Sequence, residues 1–123
     1  MTKSIRNTTP KTQEEIEVSK ASIMACWMFI AEIETANSKY PAKFNGSKEA
    51  LGVLREEYLE VEELLRKIKT INGKTSDLYS DIKTDELKGE LVQLGAMCIK
   101  ALYSLCNLER ETAAFSEATD REI

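Results

Sequence analysis

The chain has 123 residues, of which 42% are hydrophobic and 31% are charged, and it contains only 5 glycines and 2 prolines. This length suits one domain with its own core, and the composition favours helix over strand. The net charge of −4 and the pI near 5.0 argue against a nucleic-acid surface, which needs clustered lysine and arginine. The lack of histidine removes the commonest general base and histidine-based zinc sites.

The cysteines Cys26, Cys98 and Cys106 stand in apolar runs and show no Cys-x-x-Cys spacing. We expect them to be reduced and buried, as in an intracellular protein. The apolar run at 21–33 is too short to span a membrane, and it follows a polar start unlike that of a signal peptide. A cytoplasmic protein without a membrane association is therefore expected.

The periodicity of the apolar residues predicts an all-α fold, a bundle of three long helices. Ser47 and Thr84 are suitable N-caps for the second and third helices, and Asn72-Gly73 is a turn signal between them. The predicted helices lie at 13–38, 47–70 and 84–109, within one domain at 13–109, and no sheet is expected. A flexible lead-in at 1–12 precedes the domain. A polar tail at 110–123 follows it, and 113–115 of this tail are expected to dock on the core.

The first predicted helix is apolar on nearly every side. Ile16, Ile23, Trp27 and Ile30 share one face, and other large apolar residues widen it. A helix of this kind is buried in a larger bundle or at a subunit interface. Since three helices give it limited cover, we expect a homodimer or homotetramer with this helix in the interface.

Two glutamates lie where a helix should be apolar. At 100° per residue, Glu57 falls within the apolar stripe of the second helix, and Glu90 falls within that of the third. Glu60 and Gln93 follow three residues later on the same sides. A buried carboxylate is normally paired, protonated or bound to metal. One interpretation is that Glu57 and Glu90 pair with lysine or arginine from other helices. The other interpretation is that oxygen ligands hold Mg²⁺ or Mn²⁺, and it is favoured because the same i, i+3 arrangement occurs on both helices.

These residues also resemble a known signature. Residues 56–60 read Glu-Glu-Tyr-Leu-Glu, which is similar to the Glu-Glu-x-x-Glu motif of the MazG-like nucleotide pyrophosphohydrolases. Residues 90–93 read Glu-Leu-Val-Gln, which resembles the family's Glu-x-x-Asp with Gln in place of Asp. The stretch 36–49 resembles the loop before the first metal helix in small members, many of them phage- or prophage-borne. The resemblance covers roughly residues 30–108.

The resemblance implies the fold of the all-α NTP pyrophosphatases and a Mg²⁺-dependent hydrolysis, with Mn²⁺ as a possible substitute. In the implied reaction, a metal-activated water attacks the α-phosphorus of a nucleoside triphosphate and releases the monophosphate and pyrophosphate, and we expect the substrate to be a deoxynucleotide. The implied metal ligands are Glu57, Glu60 and Glu90, with Gln93 as a weak or water-mediated ligand, and Glu56 orients the water. Charge alone makes Lys39, Lys43, Lys48 and Lys100 candidates for phosphate contact, and Trp27 and Tyr40 are candidates for base stacking.

Two features depart from the motif. Gln93 offers only a neutral carbonyl, and the 61–89 segment between the two motifs is slightly long. Candidate replacement ligands are Asp77, Asp81 and Asp85. The alternative function is a catalytically silent helical protein that acts through oligomerisation or partner binding, and Gln93 and the apolar first helix favour it.

Overall fold

Four helices form most of the protein in the computed structural model, which describes residues 11–71, 73–75 and 78–122. The predicted all-α class is confirmed. Within these ranges the one strand pairing is an antiparallel ladder of two residues on each side. Residues 1–10 of the predicted lead-in, Asn72 of the turn signal and Asp77 lie outside the described residues. The elements are α1 (Gln13–Asn37), α2 (Ser47–Lys67), β1 (Thr70–Ile71), β2 (Lys74–Thr75), α3 (Leu78–Leu105) and α4 (Leu108–Glu122).

A capping box begins α1. The hydroxyl of Thr12 accepts a hydrogen bond from the backbone N–H of Glu15 at 3.1 Å, and the Glu15 carboxylate accepts one from the Thr12 N–H at 2.9 Å. Such reciprocal bonds satisfy two N–H groups that the first turn leaves unpaired. The helix ends at Asn37, one residue before the predicted end.

The loop between α1 and α2 is fixed to α3 through Phe44. This side chain is buried, and its backbone N–H donates to the Ser104 hydroxyl at 3.0 Å. The Lys100 ammonium lies 4.6 Å from the centroid of the Phe44 ring, within cation–π range. These contacts hold the loop against the C-terminal part of α3.

The ends of α2 differ from the prediction. Gly46 occupies the N-cap position, and Ser47 is already the first helical residue. The helix stops at Lys67, three residues early, and Thr70 pairs with Thr75 in the ladder. The end of α2 is therefore closer to what the Asn72-Gly73 turn signal predicts than to what the helical periodicity before it predicts.

The third helix begins six residues earlier than predicted, at Leu78. Thr84 is not its N-cap, because its hydroxyl donates to the Ser80 carbonyl at 2.7 Å inside the helix. Ser80 is fully buried, and its own hydroxyl accepts the Lys69 N–H at 3.0 Å, which ties the α2–α3 connection to α3.

The predicted polar tail is helical. The third helix ends at Leu105 instead of 109, and Asn107 adopts a left-handed conformation with φ 68° before α4 begins. Asn tolerates this conformation better than most residues. Phe115 in α4 is 71% exposed, so it does not dock on the core as expected.

The bundle is built around α3. Glu60 in α2 lies beside Glu90 of α3. Lys69, just after the end of α2, donates to Ser80 near the start of α3, so α2 and α3 are antiparallel. The first helix packs on the other side of α3, where the Phe29 ring lies against Gly95. Among the residues whose burial the structure describes, five apolar side chains are buried: Phe44, Ala50, Val61, Leu64 and Ala96.

Two expectations about burial are wrong for the single chain. The first helix has no buried residue, and Trp27 is 69% exposed. Cys26, Cys98 and Cys106 are free thiols and are exposed. For α1 and its Cys26, the reason is that α3 covers only one side of the helix.

None of the described helices is by itself long and apolar enough to span a membrane, although α3 taken together with residues 110–116 passes that test across an 88° bend.

Candidate metal centre

Three carboxylates converge between α2 and α3. Glu57 and Glu60 lie three residues apart on one side of α2, and the antiparallel packing places Glu90 of α3 opposite them. One oxygen atom from each lies within 4.8 Å of the others. The predicted convergence is therefore present. Its origin is the helical repeat, which puts residues i and i+3 side by side.

Each of the two central carboxylates has one oxygen without the partner that burial normally requires. Oε1 of Glu57 and Oε1 of Glu90 are both buried without a hydrogen-bond partner. In the described ranges the ion pairs join residues of the same helix, Arg66 with Glu62, Lys67 with Glu63 and Lys83 with Glu86. The interpretation in which lysine or arginine from another helix pairs with Glu57 and Glu90 is thus not supported.

The electrostatics of the cluster favour protonation or a cation. Burial raises the pKa of Glu57, and the charges of Glu60, Glu56 and Glu32 raise it further. Burial also raises the pKa of Glu90 to about 7, with added contributions from a hydrogen bond with Glu60 and from neighbouring carboxylates. A divalent cation would reverse this effect, because positive charge stabilises the ionised forms.

A cavity of about 500 Å³ opens beside the cluster, between the helices and the α1–α2 loop. Its volume is in the range of small-molecule sites. It brings together the carboxylates of Glu56 and Glu57 and the amide of Gln93. The residues that share this cavity also include three of the four predicted phosphate contacts and one stacking candidate, namely Lys39, Lys43, Lys100 and Tyr40.

The remaining sequence candidates lie elsewhere. Lys48 and Trp27 do not line the cavity. The carboxylates of Asp81 and Asp85 are not part of the three-glutamate cluster, and Asp77 lies outside the described residues. A second cavity, of about 370 Å³, touches the cluster from the side of Glu60 and Glu90.

Sequence reasoning missed one carboxylate at the site. Glu32 of α1 lines the large cavity with Glu57 and Gln93. It lies within the apolar run at 21–33 and was assigned no role there. At 100° per residue it lies between Met28 and Ala36 on α1, but because α1 is apolar on nearly every side, the arithmetic does not single out this face.

The residues present suit a hard divalent cation. All the candidate ligands are oxygen atoms, which Mg²⁺ and Mn²⁺ prefer, and two of these oxygens are buried without a partner. In the comparisons with known proteins, no family model, curated protein or solved structure matches the chain.

Proposed function

We propose that the protein is a Mg²⁺-dependent pyrophosphohydrolase of nucleoside triphosphates, acting on cytoplasmic deoxynucleotides as MazG-like enzymes do. The observation that carries the proposal is the arrangement of Glu57, Glu60 and Glu90, which converge with no ion pair to them among the described residues. The adjoining cavity holds three lysines, as a triphosphate site requires. A triphosphate brings about four negative charges to an acidic protein, so a bridging cation is needed.

Each group at the site has a distinct role in the proposed reaction. Glu57, Glu60 and Glu90 would hold the cation, and Gln93 would contribute a neutral carbonyl. When bound, Mg²⁺ supplies positive charge to the phosphates and lowers the pKa of the attacking water. Lys39, Lys43 and Lys100 bind the phosphate oxygens.

Glu56 lines the cavity and orients the water for in-line attack. The water oxygen bonds to the α-phosphorus, the bond to the αβ-bridging oxygen breaks, and Glu56 takes the water proton. Pyrophosphate leaves with the electron pair of the broken bond, and the nucleoside monophosphate remains.

The test is pyrophosphate release from a panel of ribo- and deoxynucleoside triphosphates, with and without Mg²⁺ or Mn²⁺. We expect metal-dependent release from at least one nucleotide. Glu57→Gln should abolish it, because the substitution removes a charged ligand with little change of volume. The control is Glu62→Gln, which removes only a same-helix ion pair with Arg66 and should retain activity. If no nucleotide is hydrolysed, or if Glu57→Gln retains full activity, the catalytically silent alternative replaces this proposal.

We also propose that the fold is completed by a second copy of the chain, as a homodimer or as part of a homotetramer. Ile16, Ile23, Trp27 and Ile30 lie on the side of α1 opposite to the face that packs on α3, and all four are exposed. Together with Met24 they expose roughly 600 Å² of apolar surface, approaching the ~800 Å² per partner of a stable interface.

Light scattering at micromolar concentration tests this assembly. The wild type should have at least twice the mass of one chain, and Trp27→Glu should shift it towards the monomer. Phe115→Glu is the matched control, since this aromatic ring is equally exposed on α4. A wild-type monomer at micromolar concentration would rule the assembly out.

A further inference from the structure

Glu32 occupies an unusual position on α1. The half-buried residues of this helix form one face, against α3, and Glu32 is the only charged residue on that face. Every other charged side chain of α1 is exposed. Placing a carboxylate on the packed face of an apolar helix has a cost in desolvation, so its partner must be identified.

Glu32 has no cationic partner among the residues that the structure describes. None of their lysines and arginines forms an ion pair with it, and none of their groups donates a hydrogen bond to its carboxylate. What it faces is more negative charge, since it is close enough to Glu57 and Glu90 to raise the pKa of both. Three like charges on three different helices repel one another unless a cation lies among them.

A second observation points independently to a ligand at this place. The orphaned Oε1 atoms of Glu57 and Glu90 are buried and have no donor. A cation that satisfies these oxygens would also neutralise Glu32, which shares a cavity with Glu57.

The composition of the site explains why an additional charge is useful. Gln93 lines the same cavity and contributes no charge, although the resembling motif carries an aspartate there. Glu32 is not one of the three residues whose oxygens lie within 4.8 Å of one another. It therefore belongs to the outer part of the site, where Mg²⁺ keeps several of its waters.

We propose that Glu32 is the outer carboxylate of the cation site, which accepts hydrogen bonds from the waters of the ion and restores the charge that Gln93 does not provide. The proposal rests on the proposed function, because it needs a cation held by Glu57, Glu60 and Glu90. Glu32 is a positioning residue, since it acts on the substrate only through the ion. Outer partners of this kind change metal affinity by about 10- to 100-fold.

Mn²⁺ binding to the metal-free protein, followed by the electron paramagnetic resonance signal of the free ion, tests the proposal without any nucleotide. Glu32→Gln should weaken Mn²⁺ binding by about 10-fold or more. Glu34→Gln removes an exposed carboxylate from the same helix and should leave the affinity unchanged. In the double variant with Glu32→Gln and Gln93→Asp, the Mn²⁺ affinity should return towards that of the wild type, because the aspartate restores the negative charge that the site has lost.

The thermal midpoint in EDTA separates this role from a structural one. Glu32→Gln should unfold at the same temperature as the wild type or higher, since it removes a repulsive charge. A lower midpoint together with no rescue by Gln93→Asp would assign Glu32 a packing role and overturn the proposal.

The Mn²⁺ measurements distinguish a failure of the proposed role of Glu32 from a failure of the proposed function. If Glu32→Gln binds Mn²⁺ as tightly as the wild type while Glu57→Gln does not bind it, the cation site stands and the role of Glu32 is refuted. If the wild type itself binds no Mn²⁺, the proposed function fails, and the role of Glu32 fails with it.

Discussion

Replacing Glu90 by Gln should stabilise the metal-free protein at pH 8, although it removes a residue from the centre of the bundle. The amide has nearly the shape of a protonated carboxyl group. It can donate to Glu60 as the protonated Glu90 does, and it carries no charge to repel Glu57. At every pH, the variant therefore has an uncharged group at position 90, whereas the wild type has one only when Glu90 is protonated.

The size of the effect follows from the pKa of Glu90, which burial, the hydrogen bond with Glu60 and the neighbouring carboxylates together raise from 4.5 to about 7. The full difference corresponds to about 3 kcal/mol. Water reaches the cluster through two cavities, so screening reduces the expected stabilisation to about 1 kcal/mol. For a domain of this size, that raises the thermal midpoint by roughly 3–6 °C.

The pH dependence has a definite sign. A carboxyl group whose pKa is higher in the folded state binds more protons when folded, so the wild type loses stability as pH rises from 4.5 to about 7. The Glu90→Gln variant lacks this loss. The difference between the two midpoints should be small at pH 5 and complete at pH 8.

The assay is thermal unfolding by circular dichroism, in EDTA and then in 10 mM Mg²⁺, at one protein concentration. Mg²⁺ that binds near millimolar stabilises the wild type by about 1.4 kcal/mol, and it should not affect Glu90→Gln. Glu86→Gln, one turn earlier on the same helix, loses a surface ion pair with Lys83 and should unfold at the wild-type temperature or slightly below. A Glu90→Gln midpoint below that of the wild type in EDTA at pH 8 would refute the reasoning.

Two further predictions concern packing and substrate binding. Gly95→Ala should destabilise the protein by about 1–3 kcal/mol in chemical denaturation, because the new Cβ would lie 2.4 Å from the Phe29 ring. Gly89→Ala has open space around the new methyl group on the same helix and should stabilise by up to about 1 kcal/mol, so equal effects would contradict the α1–α3 contact. Lys100→Ala should raise the KM for the nucleotide at least several-fold without changing Mn²⁺ affinity, whereas Lys48→Ala, outside the cavity, should change neither. Equal KM values for the two lysine variants would remove Lys100 from the phosphate site.

The helical arithmetic predicted the centre of the site better than the ends of the helices. Glu57 and Glu90 were identified as misplaced acids, and they meet because each lies on the packed side of its helix. The 3.6-residue repeat determines that placement regardless of where the helix starts. Thr84 was misassigned because a threonine hydroxyl can bond back to a carbonyl within a helix as well as cap its end.

The predictions of burial were less accurate than those of the site, because the apolar character of a residue does not specify which surface covers it. Trp27 and Cys26 lie in the most apolar stretch of the chain, yet both are exposed in a single copy. Only three-dimensional packing shows that α3 covers the Phe29 side of α1 and leaves the opposite side open. For the same reason Glu32 was overlooked, because its importance depends on which face of α1 meets α3.

The short ladder that joins α2 to α3 has a consequence for the order of folding. Since only 68–77 separate the two helices, they form a helical hairpin whose contacts are local in sequence, and such contacts form fastest. Docking of α1 on α3 closes a much longer loop and is expected to follow. The carboxylates of Glu57, Glu60 and Glu90 thus meet in this early hairpin, and their mutual repulsion opposes the first step of folding. A divalent cation present during refolding should therefore accelerate that step as well as stabilise its product.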